Sequence, residues 1–304
     1  MRKKLRILFA CLVILVLGAI AWLIFGGYGP EPEYKGKPLS YWLWGYDQGN
    51  YKLDYPDGPP PPSDQEADEA VRAMGTNVTE MLVRMLRHDD SKIKVLAWRV
   101  LHKQHFIKVR YPILNANHKA FNAFKALGET GSNAVPQLIT LFETDHSSSP
   151  QQMVPMVLSY VGPVAAPAVP ALLHGLSHTN EIVRYNIIGA LGSIHAEPTT
   201  VVPALTTFLK NTNSHLRAQA ATALGNFGKE AASAIPALLQ LATNPPPRPT
   251  PTAGKSWIMS SGKGGWWFAS WADLPTYPFS DEPDAVKKAL MKIDPNAARN
   301  AGVK

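Results

Sequence analysis

Residues 168–239 read AVPALLHGLSHTNEIVRYNIIGALGSIHAEPTTVVPALTTFLKNTNSHLRAQAATALGNFGKEAASAIPALL. A Val/Ile-Pro pair opens, divides and closes this stretch as Val169-Pro170, Val202-Pro203 and Ile235-Pro236, and an earlier copy stands at Val135-Pro136. The prolines are spaced by 34, 33 and 33 residues (136 to 170, 170 to 203, 203 to 236). Gly128, Gly162, His195 and Gly228 stand 8 residues before the four prolines and hold the same period. Two independent marks on one period define an internal repeat, and this length is that of a stacked helical unit.

Each unit reads as two helices. Proline is favoured in the first helical turn, where its missing N–H has no partner to lose, so each Val/Ile-Pro pair predicts a helix start. Relative to the proline, positions −1, +2 and +6 are apolar in every copy: Val135, Leu138, Phe142; Val169, Leu172, Leu176; Val202, Leu205, Leu209; Ile235, Leu238, Ala242. Steps of three and four place them on one helical face. A second helix follows. Its apolar positions superpose between adjacent copies as Val183, Ile187, Ile188, Ala190, Leu191, Ile194 and Leu216, Ala220, Ala221, Ala223, Leu224, Phe227. Asn180 and Asn213 precede these helices as N-caps, and Arg184 and Arg217 match four residues further on. A helix pair of this kind cannot bury its apolar face alone, so neighbouring pairs must stack.

The patterns Ala-Leu-Gly-x-x-Gly, Ala-x-x-Ala-Val/Ile-Pro-Ala-Leu-Leu and Asn-x-x-Val/Leu-Arg resemble HEAT repeats of the bacterial, phycobilisome-lyase-like kind. The Gly-Lys-Pro-Leu-Ser-x-Trp-Leu segment from Gly36 to Leu43, and Gly75-Thr76-Asn77, are similar to segments of bacterial membrane-anchored HEAT-repeat proteins. The resemblance covers residues 120–243 well, with weaker copies at 64–104 and 283–295. It implies an all-α fold: a right-handed HEAT-type solenoid of about five to six helix pairs, nearly free of strand. Three departures stand out. His195 replaces the glycine, Pro155 interrupts one second helix, and Gln151 stands where arginine is expected, so two second helices are expected to be bent or shortened.

Outward from the repeats, residues 7–25 carry no charge and follow Arg2, Lys3, Lys4 and Arg6. At about 1.5 Å per residue such a run matches a bilayer core of ~30 Å. The reading is a basic cytoplasmic tail at 1–6 and one transmembrane anchor at 7–25. The positive-inside rule then exports the body. Cleavage after Ala21, with release of the body, is the alternative. Without the four tail cations the body has 26 Lys+Arg (30 − 4) against 23 Asp+Glu, a net charge of only +3. No basic stripe appears, which argues against nucleic acid. The single cysteine, Cys11, lies in the apolar run, so no disulfide forms within the chain. A linker rich in Pro, Gly and Tyr is expected at 26–63, and the solenoid at 64–295. An aromatic insertion occupies about 244–282 within it, and a frayed tail follows at 296–304.

Candidate chemistry is thin. Gly254-Lys255-Ser256 ends like a phosphate-binding loop, but Pro249 stands where that loop needs glycine. His174 and His178 are four apart without a third ligand at metal-site spacing, so a helix-end role is expected for them, and for His102 and His105. Asp89-Asp90 read as a helix cap, and Ser147-Ser148-Ser149 as a connection. No catalytic, cofactor or metal residues are assigned. The bilin-lyase chemistry of some relatives does not follow from the repeat alone.

Two surfaces remain. In such stacks the second helices line a concave face, here Gln152, Met156, Tyr160; Tyr185, Gly189, Ser193; and Ala218, Thr222, Asn226. An almost uncharged strip suits a protein or peptide partner. The insertion holds Trp257, Trp266, Trp267, Phe268, Trp271, Tyr277 and Phe279, which either bind a partner or cover the solenoid's end. The partner-binding residues expected are Tyr160, Tyr185, Asn226, Trp257, Trp266, Trp267 and Trp271. The sequence thus predicts a non-enzymatic membrane-anchored scaffold on the extracytoplasmic face. An enzyme-accessory or lyase-like protein and a spacer without a specific ligand are its rivals.

Overall fold

The structure is a computed structural model that describes residues 18, 31–47, 60–87, 116–244, 257–262, 265–270 and 282–300. The chain divides into two units, Met1–Ala123 and Phe124–Lys304. Apart from Gly18, the expected anchor lies outside the described residues, as do the helix expected at 91–104 and the segments 88–115, 245–256 and 271–281.

In the first unit, part of the expected linker is folded. Strands β1 (Glu33–Tyr34) and β2 (Lys37–Pro38) pair antiparallel across Lys35 and Gly36, both at positive φ, as a tight hairpin turn requires. Helix α1 (Leu39–Trp42) and a 3₁₀ turn (Leu43–Asp47) follow. They bury Leu39, Leu43 and Trp44 beside helix α2 (Asp64–Met74). Ser63 and Glu66 start α2 with a reciprocal capping box, which satisfies two otherwise orphaned N–H groups. A Cβ on Gly45 would come within 2.9 Å of the Ala67 Cβ, so glycine permits this contact. Tyr34 and Tyr46 donate hydrogen bonds of 2.7 Å to Glu69 and Asp68 of α2. The Trp-Leu-Trp triplet was the apolar signal that the proline- and tyrosine-rich composition masked. A 3₁₀ turn (Gly75–Val78), helix α3 (Thr79–Met85) and helix α4 (Ala116–Leu127) continue the chain.

The second unit is a run of helix pairs. The first helices are α5 (Val135–Thr144), α7 (Val169–Gly175), α9 (Pro198–Phe208) and α11 (Ile235–Thr243). The second helices are α6 (Ser148–Val161), α8 (Glu181–Ile194), α10 (Ser214–Phe227) and α12 (Glu282–Ile293). Leu138, Leu172, Leu205 and Leu238, the +2 residues of the repeat, are all fully buried. Gly128, Gly162 and Gly228 each begin a 3₁₀ turn that leads into the next first helix, at φ of 54°, 74° and 52°. Only glycine adopts that region without strain.

His195 cannot take the glycine conformation, and the element changes. The histidine takes the left-handed conformation, Glu197 does the same, and α9 starts early, at Pro198. Pro203 therefore lies inside α9 and does not start it, unlike Pro136, Pro170 and Pro236. Neither second helix with a departure is shortened: α6, with Pro155, and α8 are each 14 residues long, like α10.

Beyond β1 and β2, the described residues hold one further pair of strands. Within the insertion, β3 (Trp257–Gly262) and β4 (Gly265–Ser270) pair antiparallel. Helix α13 (Pro295–Asn300) buries Ala298 where a frayed tail was expected. Residues 149–175 have the length and apolarity to cross a membrane, but the chain turns at Gly162 and separates α6 from α7. Val154, Val157, Leu158 and Leu172 are buried within the stack, so this stretch is two core helices.

Candidate partner-binding surface

What aligns the second helices is a ladder of equivalent polar side chains. The Asn180 and Asn213 side chains accept from the backbone N–H of Ile182 and His215, capping α8 and α10 as expected. Four residues on, the Arg184 guanidinium donates to the carbonyls of His178 and Thr179, and Arg217 donates to those of Asn211 and Thr212. Each arginine thus ties the turn between the two helices of its own repeat. Gln151 takes the same place in α6, and its amide donates to the carbonyls of Phe142 (2.6 Å) and Asp145 (2.8 Å). The substitution keeps the function and drops the charge.

Close packing sets the spacing between second helices. A Cβ on Gly192 of α8 would lie 2.7 Å from the Ala223 Cα of α10, and one on Gly225 would lie 2.9 Å from the Ala289 Cα of α12. The Ser159 and Ser193 hydroxyls meet at 3.2 Å at the corresponding place between α6 and α8. Asn186 donates to the Gln152 carbonyl, and Asn226 to that of Gly192, so each helix hydrogen-bonds to its predecessor. Lys292 of α12 reaches Asn226 Oδ1 at 3.3 Å.

This register brings Tyr160, Ser193 and Asn226 onto successive helices of one face, with Lys292 following on α12. Tyr160 is 41% exposed, and the Lys125 ammonium lies 5.8 Å from its ring. Asn226 and Thr222 are exposed, while Gln152, Met156, Tyr185, Gly189 and Ser193 are half-buried. Burial pushes the Tyr185 phenol up to about 12, so it remains a neutral hydroxyl. Ala218 departs from the expected strip, since it is only 5% exposed, packed at the start of α10. The face offers hydroxyls, amides and two tyrosine rings, Tyr160 exposed and Tyr185 half-buried, chemistry suited to a peptide's backbone and apolar side chains.

Trp257, Trp266 and Trp267 fall on β3 and β4, while Trp271, Tyr277 and Phe279 lie outside the described residues. The same holds for His102, His105, Asp89, Asp90 and Gly254-Lys255-Ser256. His178 Nδ1 accepts from the Asn180 N–H, which gives it a part in the turn before α8. Among the described residues no group of three or more His, Cys, Asp or Glu side chains is placed to hold a metal ion.

The sequence alone did not reveal one contact. Glu282, first residue of α12, accepts from Arg217 Nε and Nη2 at 2.6 and 2.7 Å, with both residues buried. The only signal was a glutamate just before a helical pattern, which reads as ordinary first-turn charge.

A profile of HEAT repeats matches residues 169–253, which span α7 to α11. Together with the stacked pairs it gives that part of the chain a HEAT-type repeat fold. Two engineered proteins solved by the Northeast Structural Genomics Consortium are similar to the chain. One has 17% identity and a TM-score of 0.41, the similarity covering 88% of this chain and 62% of that protein. The other has 18% identity and a TM-score of 0.39, covering 84% and 96%. No curated protein matches the chain.

Proposed function

We propose that this protein is a non-enzymatic scaffold that holds a protein or peptide partner along its second-helix face. It works from the extracytoplasmic side of a membrane, anchored through residues 7–25. The observation that carries this reading is the register of Tyr160, Ser193 and Asn226 across α6, α8 and α10. There Tyr160 and Asn226 are exposed and Ser193 is half-buried, polar and aromatic side chains recurring at the repeat spacing. HEAT repeats in general act by presenting such faces. The trans-bilayer placement is supported by the uncharged run at 7–25 behind four basic residues. The tryptophans of the insertion, Trp257, Trp266, Trp267 and Trp271, are of the kind enriched at binding hot spots and offer a second contact.

The test is affinity capture of the full-length protein after cross-linking in its own membrane, comparing it with the Tyr160→Ala/Asn226→Ala double variant. The variant should stay folded, its melting temperature lowered only by what the lost Asn226 hydrogen bonds to Gly192 and Lys292 contribute, and should lose the partners captured by the parent. An unchanged set of partners would refute the assignment of this face.

A further inference from the structure

The second-helix face is graded along the stack. At its α6 end stand Tyr160, 41% exposed, and Val164, 47% exposed, the latter in the turn after α6. Among the described residues they are two of three exposed large apolar side chains, so apolar contact is concentrated at this end. In the next two repeats the same places hold Ser193 with Glu197, then Asn226 with Glu230. The place of Tyr160 thus passes from an aromatic ring to a hydroxyl and an amide, and the Lys292 ammonium follows on α12.

Charge runs the other way. At the α6 end the exposed Lys125 and Glu129 stand four residues apart and offset each other. In the middle Glu230 pairs with His195 at 2.8 Å, and Glu197 accepts from the Thr200 hydroxyl. At the α12 end Asp284 pairs with Lys288 at 2.7 Å, and Asp294 accepts from the N–H groups of Asn296 and Ala297 at the start of α13. Lys292 is exposed and donates to Asn226 Oδ1 at 3.3 Å, a neutral acceptor, and it makes no ion pair among the described residues. An ammonium fixed in this way is a ready partner for a carboxylate.

We propose that the face takes an extended acidic peptide segment in one register, with an apolar side chain against Tyr160 and Val164 and a carboxylate on Lys292. Ser193 and Asn226 serve the backbone between these two anchors. This names the partner class of the second-helix face and rests on the reading given above. Packed helices stand about 8–10 Å apart, so the three steps from α6 to α12 cover roughly 24–30 Å. An extended chain at ~3.4 Å per residue spans that distance in about seven to nine residues.

The test uses an array of immobilised Gly/Ser dodecapeptides carrying one Leu and one Asp at every pair of positions, probed with the detergent-solubilised full-length protein. Retention should peak at a Leu–Asp separation of about seven to nine residues and fall about fivefold where Asn replaces Asp. Lys292→Glu should abolish the preference for Asp and create one for Lys at that separation. Tyr160→Ala should abolish the dependence on Leu and keep that on Asp. Retention without a preferred separation, or a preference for Asp that survives Lys292→Glu, would overturn this inference alone, since peptides would still bind the face. A parent-like map from both variants would overturn the assignment of the face as well. No retention at all would overturn the inference, and cross-linking in the membrane would then decide the face separately.

Discussion

Arg217 and Glu282 form a buried ion pair, whereas the equivalent Arg184 meets only the half-exposed Glu181. Removing one member leaves an uncompensated buried charge, so Glu282→Ala should cost about 3–5 kcal/mol in a urea titration. Glu181→Ala, at the exposed pair, should cost less than about 1 kcal/mol. Equal costs would show that burial does not distinguish them. Two histidines contribute to the response to acid. Burial, with a smaller contribution from Lys119, holds His118 down to about 4 from an ordinary value of 6.5. His215 is also lowered by burial, against the opposing pull of Glu181 and Glu282. With folded values depressed, the unfolded chain binds more protons between pH 6.5 and 4. Stability is therefore complete above that window and falls as the pH drops through it. For His118 the loss should be on the order of 2–3 kcal/mol, and His118→Gln should flatten that part of the profile. A gain in stability on acidification would contradict the assignment.

The second helices stand so close because Gly192 and Gly225 meet backbone atoms of the next helix. Gly192→Ala should therefore cost about 1–3 kcal/mol through overpacking, despite alanine's better helix propensity. Leu205→Ala and Leu224→Ala, both at fully buried positions, should each cost about 2–5 kcal/mol. The exposed Thr222→Ala should stay within about 0.5 kcal/mol of the parent. Thermal melts that reversed this order would show the helix faces to be misassigned. Much at this scale was legible: the apolar spacing around each Val/Ile-Pro pair located the helices, and Asn180 and Asn213 marked two of their starts. His195 was visible as an exception, but its consequence was not. Sequence shows that glycine is missing, but not that His195 turns in the left-handed conformation (φ 53°, ψ 44°) where Gly162 and Gly228 have ψ of −146° and −132°, nor that α9 extends back to Pro198. Gln151 was misjudged because residue type suggested a lost arginine, while its amide reaches the equivalent carbonyl, that of Asp145, and that of Phe142 at the end of the preceding helix.

For the whole molecule, the 33-residue period gave the stacking and the second-helix face, since equivalent residues at one spacing must align. It could not give the N-terminal fold of residues 31–47 or the β3–β4 ladder, which occur once and have no repeat to reveal them. Nor could it give the Arg217–Glu282 contact, which joins residues on either side of the insertion. On topology, the basic flank before residues 7–25 predicts that protease added to intact inner-membrane spheroplasts digests the body. Full protection would reverse the orientation. The central claim is that this stack binds through its second helices. Photo-activatable benzoylphenylalanine placed singly at Tyr160, Thr222, Asn226, Gln137 and Lys210 of the full-length chain, in its own membrane, tests that claim most directly. Gln137 is exposed on the first helix α5, and Lys210 is exposed in the turn after the first helix α9. Adducts to the same partner from Tyr160, Thr222 and Asn226, and none from Gln137 or Lys210, are predicted; adducts from Gln137 and Lys210 alone, or equally from all five, would contradict it.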